Sequence, residues 1–172
     1  MANTMTLIAS STASSGAVTT FDFTSIPSTY TDLCLKLSIR GTNSDQYISL
    51  LMRFNGATSG YTTKRLSGYG TGVNSDGNSG LTYLYTGNPT ANGATANVFG
   101  NVEFYIPNYA GSNQKSYSQD SVGENNSTGN AFAQLISGLS TSTSAINQIT
   151  LYNEYGNFAQ YSTAYLYGIK NS

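Results

Sequence analysis

The chain has 172 residues, with no histidine, one cysteine, 9% charged residues and a net charge of −1. General acid–base catalysis, nucleophile activation and transition-metal binding lean on histidine, cysteine and clustered carboxylates, so this composition points away from an enzyme or a metalloprotein. It also supplies no basic stripe for nucleic acid, no apolar run long enough to cross a membrane and no basic-then-apolar leader at Met1-Ala2-Asn3-Thr4, so synthesis in the cytoplasm and a soluble product are expected.

Hydrophobic residues make up 38% and aromatics 12%, with fourteen tyrosines and seven phenylalanines, a folded and β-rich composition. A chain of this length can bury roughly two-thirds of its unfolded surface without metals or disulfides. One domain spanning 1–172 is expected, with a short N-terminal arm over about residues 1–6.

Apolar and polar residues alternate in windows bounded by Gly, Asn, Ser or Pro, the period of half-buried strands. Strands are predicted over Thr4 to Ser10, Ala17 to Phe23, and Asp32 to Arg40, where Leu33, Leu35, Leu37 and Ile39 alternate with Cys34, Lys36 and Ser38. Cys34 reads as a buried small hydrophobe rather than a reactive thiol. Gln46 to Phe54 runs into Asn55-Gly56, a dipeptide that accepts positive φ at both positions, so a type I′ hairpin to Tyr61–Leu66 is expected. Ser67 to Gly80, with five glycines and two asparagines, reads as the longest exposed loop.

Leu81 to Thr86 follows as an aromatic strand, then a loop at Asn88-Pro89 and a strand from Asn97 to Ile106 that Pro107 stops. Lys115 to Val122 is the next strand and Asn125 to Gly129 a turn. Ala131 to Leu139 fits a strand or one short helix, and strand is preferred; Ala145 to Tyr152 and Gln160 to Ile169 complete the series. About ten such strands predict an all-β fold, a two-sheet antiparallel sandwich of jelly-roll-like form. No tryptophan and no cysteine pair argue against an immunoglobulin-like sandwich.

No catalytic template is satisfied. A Ser-Lys pair would draw on Lys36, Lys64, Lys115 or Lys170, all in strand contexts where an exposed side chain is expected. Asp120 and Glu124 read as capping a turn after Val122. Gly68-Tyr69-Gly70-Thr71-Gly72 lacks the following helix of a phosphate loop, and Asn74-Ser75-Asp76-Gly77-Asn78 lacks the closing glutamate of a calcium loop. No catalytic, cofactor or metal residue is therefore assigned. Tyrosines two apart share a strand face, so Tyr83 with Tyr85, and Tyr165 with Tyr167, form small aromatic patches suited to core, partner contact or sugar stacking.

Several phrases carry a family likeness: Phe23-Thr24-Ser25-Ile26-Pro27-Ser28-Thr29-Tyr30-Thr31-Asp32-Leu33, Arg53-Phe54-Asn55-Gly56, Ile106-Pro107-Asn108-Tyr109-Ala110-Gly111, Asp120-Ser121-Val122-Gly123-Glu124-Asn125-Asn126, and the closing Gln160 to Ile169. They resemble small virion-associated proteins of tailed bacteriophages of aquatic bacteria, cyanophages among them. The resemblance implies a virion structural protein. With no shaft or docking segment legible, a capsid decoration or cement protein on the outer surface of the particle is the expectation, its partners being the major capsid protein and copies of itself, as trimers or dimers. A tail fibre, spike or other tail component that recognises a host surface glycan is the alternative. Contact is expected through the N-terminal arm and the Gly-rich loop, with Met5, Tyr69, Val73, Tyr83 and Tyr85 as the contact residues.

Overall fold

The computed structural model describes residues 4–16, 18–123 and 132–170. Among these, twelve strands and no helix are formed: β1 (Met5–Thr12), β2 (Thr20–Phe23), β3 (Asp32–Ile39), β4 (Leu50–Phe54), β5 (Tyr61–Tyr69), β6 (Gly72–Leu81), β7 (Leu84–Tyr85), β8 (Gly100–Ile106), β9 (Lys115–Gly123), β10 (Phe132–Ser140), β11 (Ile149–Asn153) and β12 (Thr163–Ile169). They build two antiparallel sheets of unequal width. The large one has the order β1-β12-β3-β8-β9-β10-β5-β6 and the small one β2-β11-β4-β7, giving an all-β, jelly-roll-like sandwich.

Alternation dictates which side chains meet between the sheets. Leu33, Leu35, Leu37 and Ile39 of β3 and Val102, Phe104 and Ile106 of β8 point inward from the large sheet, and Phe21, Leu50, Met52, Phe54, Ile149 and Leu151 meet them from the small one. All of them are buried in one continuous core. Phe21 stacks on Phe158 at 4.6 Å between ring centres, closing the end of the core below β2.

The strand expected over Ala131 to Leu139 is β10, paired on both sides over Phe132–Ser140. Two central neighbours settle a segment whose own pattern, with Leu135, Ile136 and Leu139, leaves the period ambiguous. The turn expected at Asn125 to Gly129, Glu124 and residues 1–3 lie outside the described residues.

Several expectations are corrected. The Gly-rich stretch Ser67 to Gly80 is not a loop: its first residues end β5 and the rest form β6, the edge strand of a hairpin turning at Gly70-Thr71. Nearly all of β6 is exposed on both faces, so it has no apolar period, and its Ser, Asn and Asp side chains form a polar margin to the sheet. The Asn55-Gly56 turn has the expected positive φ at both residues, 52° and 68°, but it makes no hairpin. β4 belongs to the small sheet and β5 to the large one, and the Asn55 side chain ties the turn to the segment leading into β11, accepting from the Asn147 and Gln148 amides at 2.9 and 3.0 Å and donating to the Ala145 carbonyl at 2.8 Å.

The N-terminal arm is shorter than expected, because Met5 and Thr6 already pair with Ile169 and Gly168 in β1. Asp120 lies within β9, opposite Glu103 and Leu135. Several strands are also shorter than their alternation suggests. Gln46 to Ser49 and Ala145 to Gln148 fall outside the ladders, and of Leu81 to Thr86 only Leu84–Tyr85 forms a separate strand.

Lys115, expected to be exposed, is 2% exposed. Its ammonium donates to the carbonyls of Gly111 at 2.6 Å, Asn113, and Thr143 at 3.3 Å, so it ties the β8–β9 connection to the segment after β10. Arg40 is used in the same way. Nη1 donates to the carbonyls of Thr95 and Val98 at 2.7 and 2.8 Å, and Nη2 to those of Asn92 and Ala94 at 3.3 and 3.1 Å. Burying a cation costs several kcal/mol, which these charge-assisted bonds offset. Burial lowers the pKa of both groups. Each pins a loop that has little apolar surface of its own.

Candidate functional site

The small sheet covers one face of the large sheet and leaves the other open. On that open face the register aligns Leu66 of β5, Leu135 of β10, Asp120 of β9, Glu103 of β8, Lys36 of β3 and Tyr165 of β12 in a single row across the strands. Gly68, Ala133, Val122 and Asn101 form the next row, with Val73 beside Gly68 on β6. The β6 side of the face is thus apolar: Val73 is 73% exposed and Leu135 61%, with Leu66 and Val122 also exposed. Two shallow depressions flank the Leu66–Leu135 ridge, of about 490 and 410 Å³. Outward leucine and valine at alternate positions, where polar residues belong, mark a surface suited to being covered.

The other half of the face is polar and aromatic. Lys36 pairs with Glu103 at 2.6 Å, and Tyr105 donates to Asp32 at 2.6 Å while the Asn108 amide donates to the second oxygen of that carboxylate at 2.8 Å. Tyr165 and Tyr167 stack with 6.5 Å between ring centres. Cys34 opens toward this side yet is buried, with its thiol 3.9 Å from Glu103. Burial, then the Glu103 charge, pushes its pKa up and keeps it a thiol.

The five expected contact residues do not form one patch. Met5 lies on β1 and Val73 on β6, the two opposite edges of the large sheet. Val73 joins the apolar half of the open face. Tyr69 turns to the other face, where its ring packs on Phe132 at 4.5 Å, and Tyr47 meets Phe132 in an edge contact at 4.7 Å. Tyr83 precedes β7 and Tyr85 lies within it; the Tyr85 ring sits under the Arg65 guanidinium, and its hydroxyl donates to Asn88.

Leu66, Val122 and Leu135, the residues that give the open face its character, carried one legible signal. In Lys115 to Val122 the wet positions are Ser116, Ser118 and Asp120 and then Val122, so the polar series breaks where the patch begins. Arg65 and Asp76, which meet through a two-point ion pair, are eleven residues apart and come together only when β6 folds back on β5. Among the described residues no three of His, Cys, Asp and Glu converge as a metal site.

No protein-family model matches the chain, and no curated protein matches it. Among solved structures, the chain is similar to the galectin LEC-6 of Caenorhabditis elegans, at 15% identity and a TM-score of 0.41, over 91% of this chain and 94% of that one. A scytalido-glutamic peptidase with a transition state analog inhibitor aligns at 11% identity and a TM-score of 0.25, over 92% of this chain and 66% of the other. The SPRY domain of human HERC1 aligns at 10% identity and a TM-score of 0.22, over 81% and 86%.

Proposed function

We propose that this chain is a non-enzymatic structural protein of a bacteriophage virion, a decoration protein that seats on the assembled capsid shell and stabilises it. The observation that carries the reading is the open face of the large sheet, where Leu66, Val73, Val122 and Leu135 are presented side by side on a rigid hydrogen-bonded floor. A face of this kind is broad and shallow, the shape that meets another protein surface rather than one that encloses a substrate.

Its chemistry fits the task. The apolar half supplies area to bury, while the Lys36–Glu103 pair and the Tyr105–Asp32 bond give the remaining half fixed polar groups for register. With a net charge of −1 the chain neither steers toward nucleic acid nor repels neighbouring copies of itself. A protein that binds only the assembled shell stabilises that state by mass action, and repetition at symmetry-related positions multiplies the effect. The phrases that resemble phage virion proteins support the same reading. In this fold they occupy the β2–β3 connection, the turn at Asn55-Gly56, the turn after β8, the end of β9 and strand β12, with Glu124 to Asn126 outside the described residues.

Quantitative mass spectrometry of purified particles tests the proposal. The expected result is a copy number comparable with that of the major shell protein, together with labelling of this chain on intact particles by a reagent that does not enter the shell. A few copies per particle and binding to host cells would favour a tail component that recognises a host glycan, and turnover of a substrate would end the structural reading.

A further inference from the structure

A crevice of about 190 Å³ opens between the β5–β6 hairpin and the β7 edge of the small sheet, away from the open face. Thr63, Arg65, Asp76, Asn78, Tyr83 and Tyr85 line it. Its wall is set in advance. Arg65 Nε donates to Asp76 Oδ1 at 3.1 Å and Nη2 donates to Oδ2, and the guanidinium lies 4.9 Å from the Tyr85 ring centre. Tyr85 is held in turn by its bond to Asn88, which also accepts from Gln134 at 2.9 Å and donates to the Ile48 carbonyl at 2.9 Å.

The chemistry of the lining narrows the ligand. An anion would need the Arg65 charge, but Asp76 already neutralises it in a two-point pair. A metal cation would need several oxygen ligands with charge, and Asp76 is the sole acid in the lining and is paired. A purely apolar ligand would cover Asn78, the Thr63 hydroxyl and the remaining lone pairs of Asp76 without giving them partners, which costs about 1–3 kcal/mol for each group so buried. A neutral ligand dense in hydroxyls satisfies all of them: each Asp76 oxygen keeps a further lone pair, the Asn78 amide both donates and accepts, and Tyr83 offers a hydroxyl and an aromatic face. The volume lies below the roughly 300 Å³ where sites for drug-sized ligands begin, and matches a single ring rather than a chain.

We propose that this crevice binds one pyranose ring of a saccharide, with Asp76 and Asn78 holding neighbouring hydroxyls and Tyr83 lying along the C–H face of the sugar. The site is separate from the open face and does not depend on capsid seating. A decoration protein that carried it would present sugar-binding points over the whole particle, and a tail component would present them at its tip.

The test is a titration of isotope-labelled full-length protein, followed by nuclear magnetic resonance, with the methyl glycosides of glucose, galactose, mannose and N-acetylglucosamine. At least one of the four is expected to give saturable shifts centred on the Asn78 side-chain amide and the backbone amides of Gly77 and Leu81. Asp76→Asn and Tyr83→Ala are each expected to weaken binding by about tenfold or more, as loss of a charged or stacking partner does. Leu135→Ser, on the open face, leaves it unchanged. Absence of saturable shifts with all four glycosides overturns the proposal, as do equal affinities in the wild-type, Asp76→Asn and Tyr83→Ala proteins. Asp76→Asn protein retains its copy number in particles whether or not the sugar site exists, so each reading fails on its own measurement.

Discussion

The Tyr61 hydroxyl engages both backbone polar groups of Phe54, accepting from the amide at 3.0 Å and donating to the carbonyl at 3.3 Å. These two residues stand on either side of the point where the chain leaves the small sheet for the large one, and their rings meet edge to face at 6.4 Å. Tyr61→Phe keeps the ring and strands the buried Phe54 amide, whereas the Phe54 carbonyl still accepts from the Ala57 amide at 3.0 Å. A loss of about 2 kcal/mol follows, seen as a fall in Tm of roughly 4–8 °C for a chain of this size. Thermal unfolding with matched urea titration measures it, and a loss below about 0.5 kcal/mol would mean the bond is not holding the crossing.

Gly138 sits on β10 directly opposite Tyr117, and a Cβ there would fall inside the Tyr117 ring. That ring cannot move away freely, because its hydroxyl donates to the Tyr85 carbonyl at 2.6 Å. Gly138→Ala is therefore expected to destabilise by about 1–3 kcal/mol, the usual cost of overpacking, although alanine suits a strand better than glycine. Equal or greater stability in urea would show that the ring relocates at no cost.

Alkali is the direction in which the fold is vulnerable. Burial raises the pKa of Tyr61, Tyr85, Tyr109, Tyr117 and Tyr152 above the ordinary value of about 10. A phenol whose folded pKa lies above its unfolded one contributes stability in full below the unfolded value, and that stability drains as pH rises from about 10 toward the folded values. Lys115, lowered by burial, acts in the opposite sense, since its unfolded form binds more protons over the interval below about 10.4. The phenols outnumber it. Unfolding free energy should be nearly level from neutral pH to about 9 and fall steeply above 10, with tyrosinate absorbance appearing together with loss of β-sheet circular dichroism. Phenol ionisation that runs to completion in a folded protein would contradict this.

Leu66 and Leu135 face each other across β5 and β10 on the open face. Exposed as they are, changing both to serine should shift stability by no more than about 0.5 kcal/mol. The same double variant should fail to sediment with particles stripped of this protein, whereas wild-type protein rebinds them. Full rebinding by the Leu66→Ser, Leu135→Ser protein would remove the open face as the seat.

Strands with one wet and one dry face are legible in the sequence. Leu33 to Ile39 and Val102 to Ile106 read correctly because alternation in the sequence is alternation of environment in the fold, while in Lys115–Val122 the strand is legible but Lys115 is buried and Val122 exposed against the pattern. β6 was illegible for the same reason: an edge strand wet on both faces has no period, and its glycines and asparagines look like a loop. Asn55-Gly56 shows a second limit. Local chemistry fixes the turn, but which sheet the chain joins next depends on the pairing of β5 with β10 and β6, which the Asn55-Gly56 dipeptide does not encode. The crevice was half visible, as Tyr83 and Tyr85, while Arg65 and Asp76 were hidden inside segments assigned to a strand and a loop.

Arg40 and Lys115 are anchored on main-chain oxygens rather than on carboxylates. A side-chain pair binds two positions to a common fate, since neither changes safely without the other. A cation seated on carbonyls has no such counterpart, because every residue type presents the same oxygen. Within Asn92 to Val98 and Gly111 to Asn113 this leaves the anchored positions open to substitution, with Gly93 and Gly111 excepted because a Cβ there would fall 2.2 Å from the Ser44 carbonyl oxygen and 2.5 Å from the Asn108 side chain, so much of this exterior can change without renegotiating the frame.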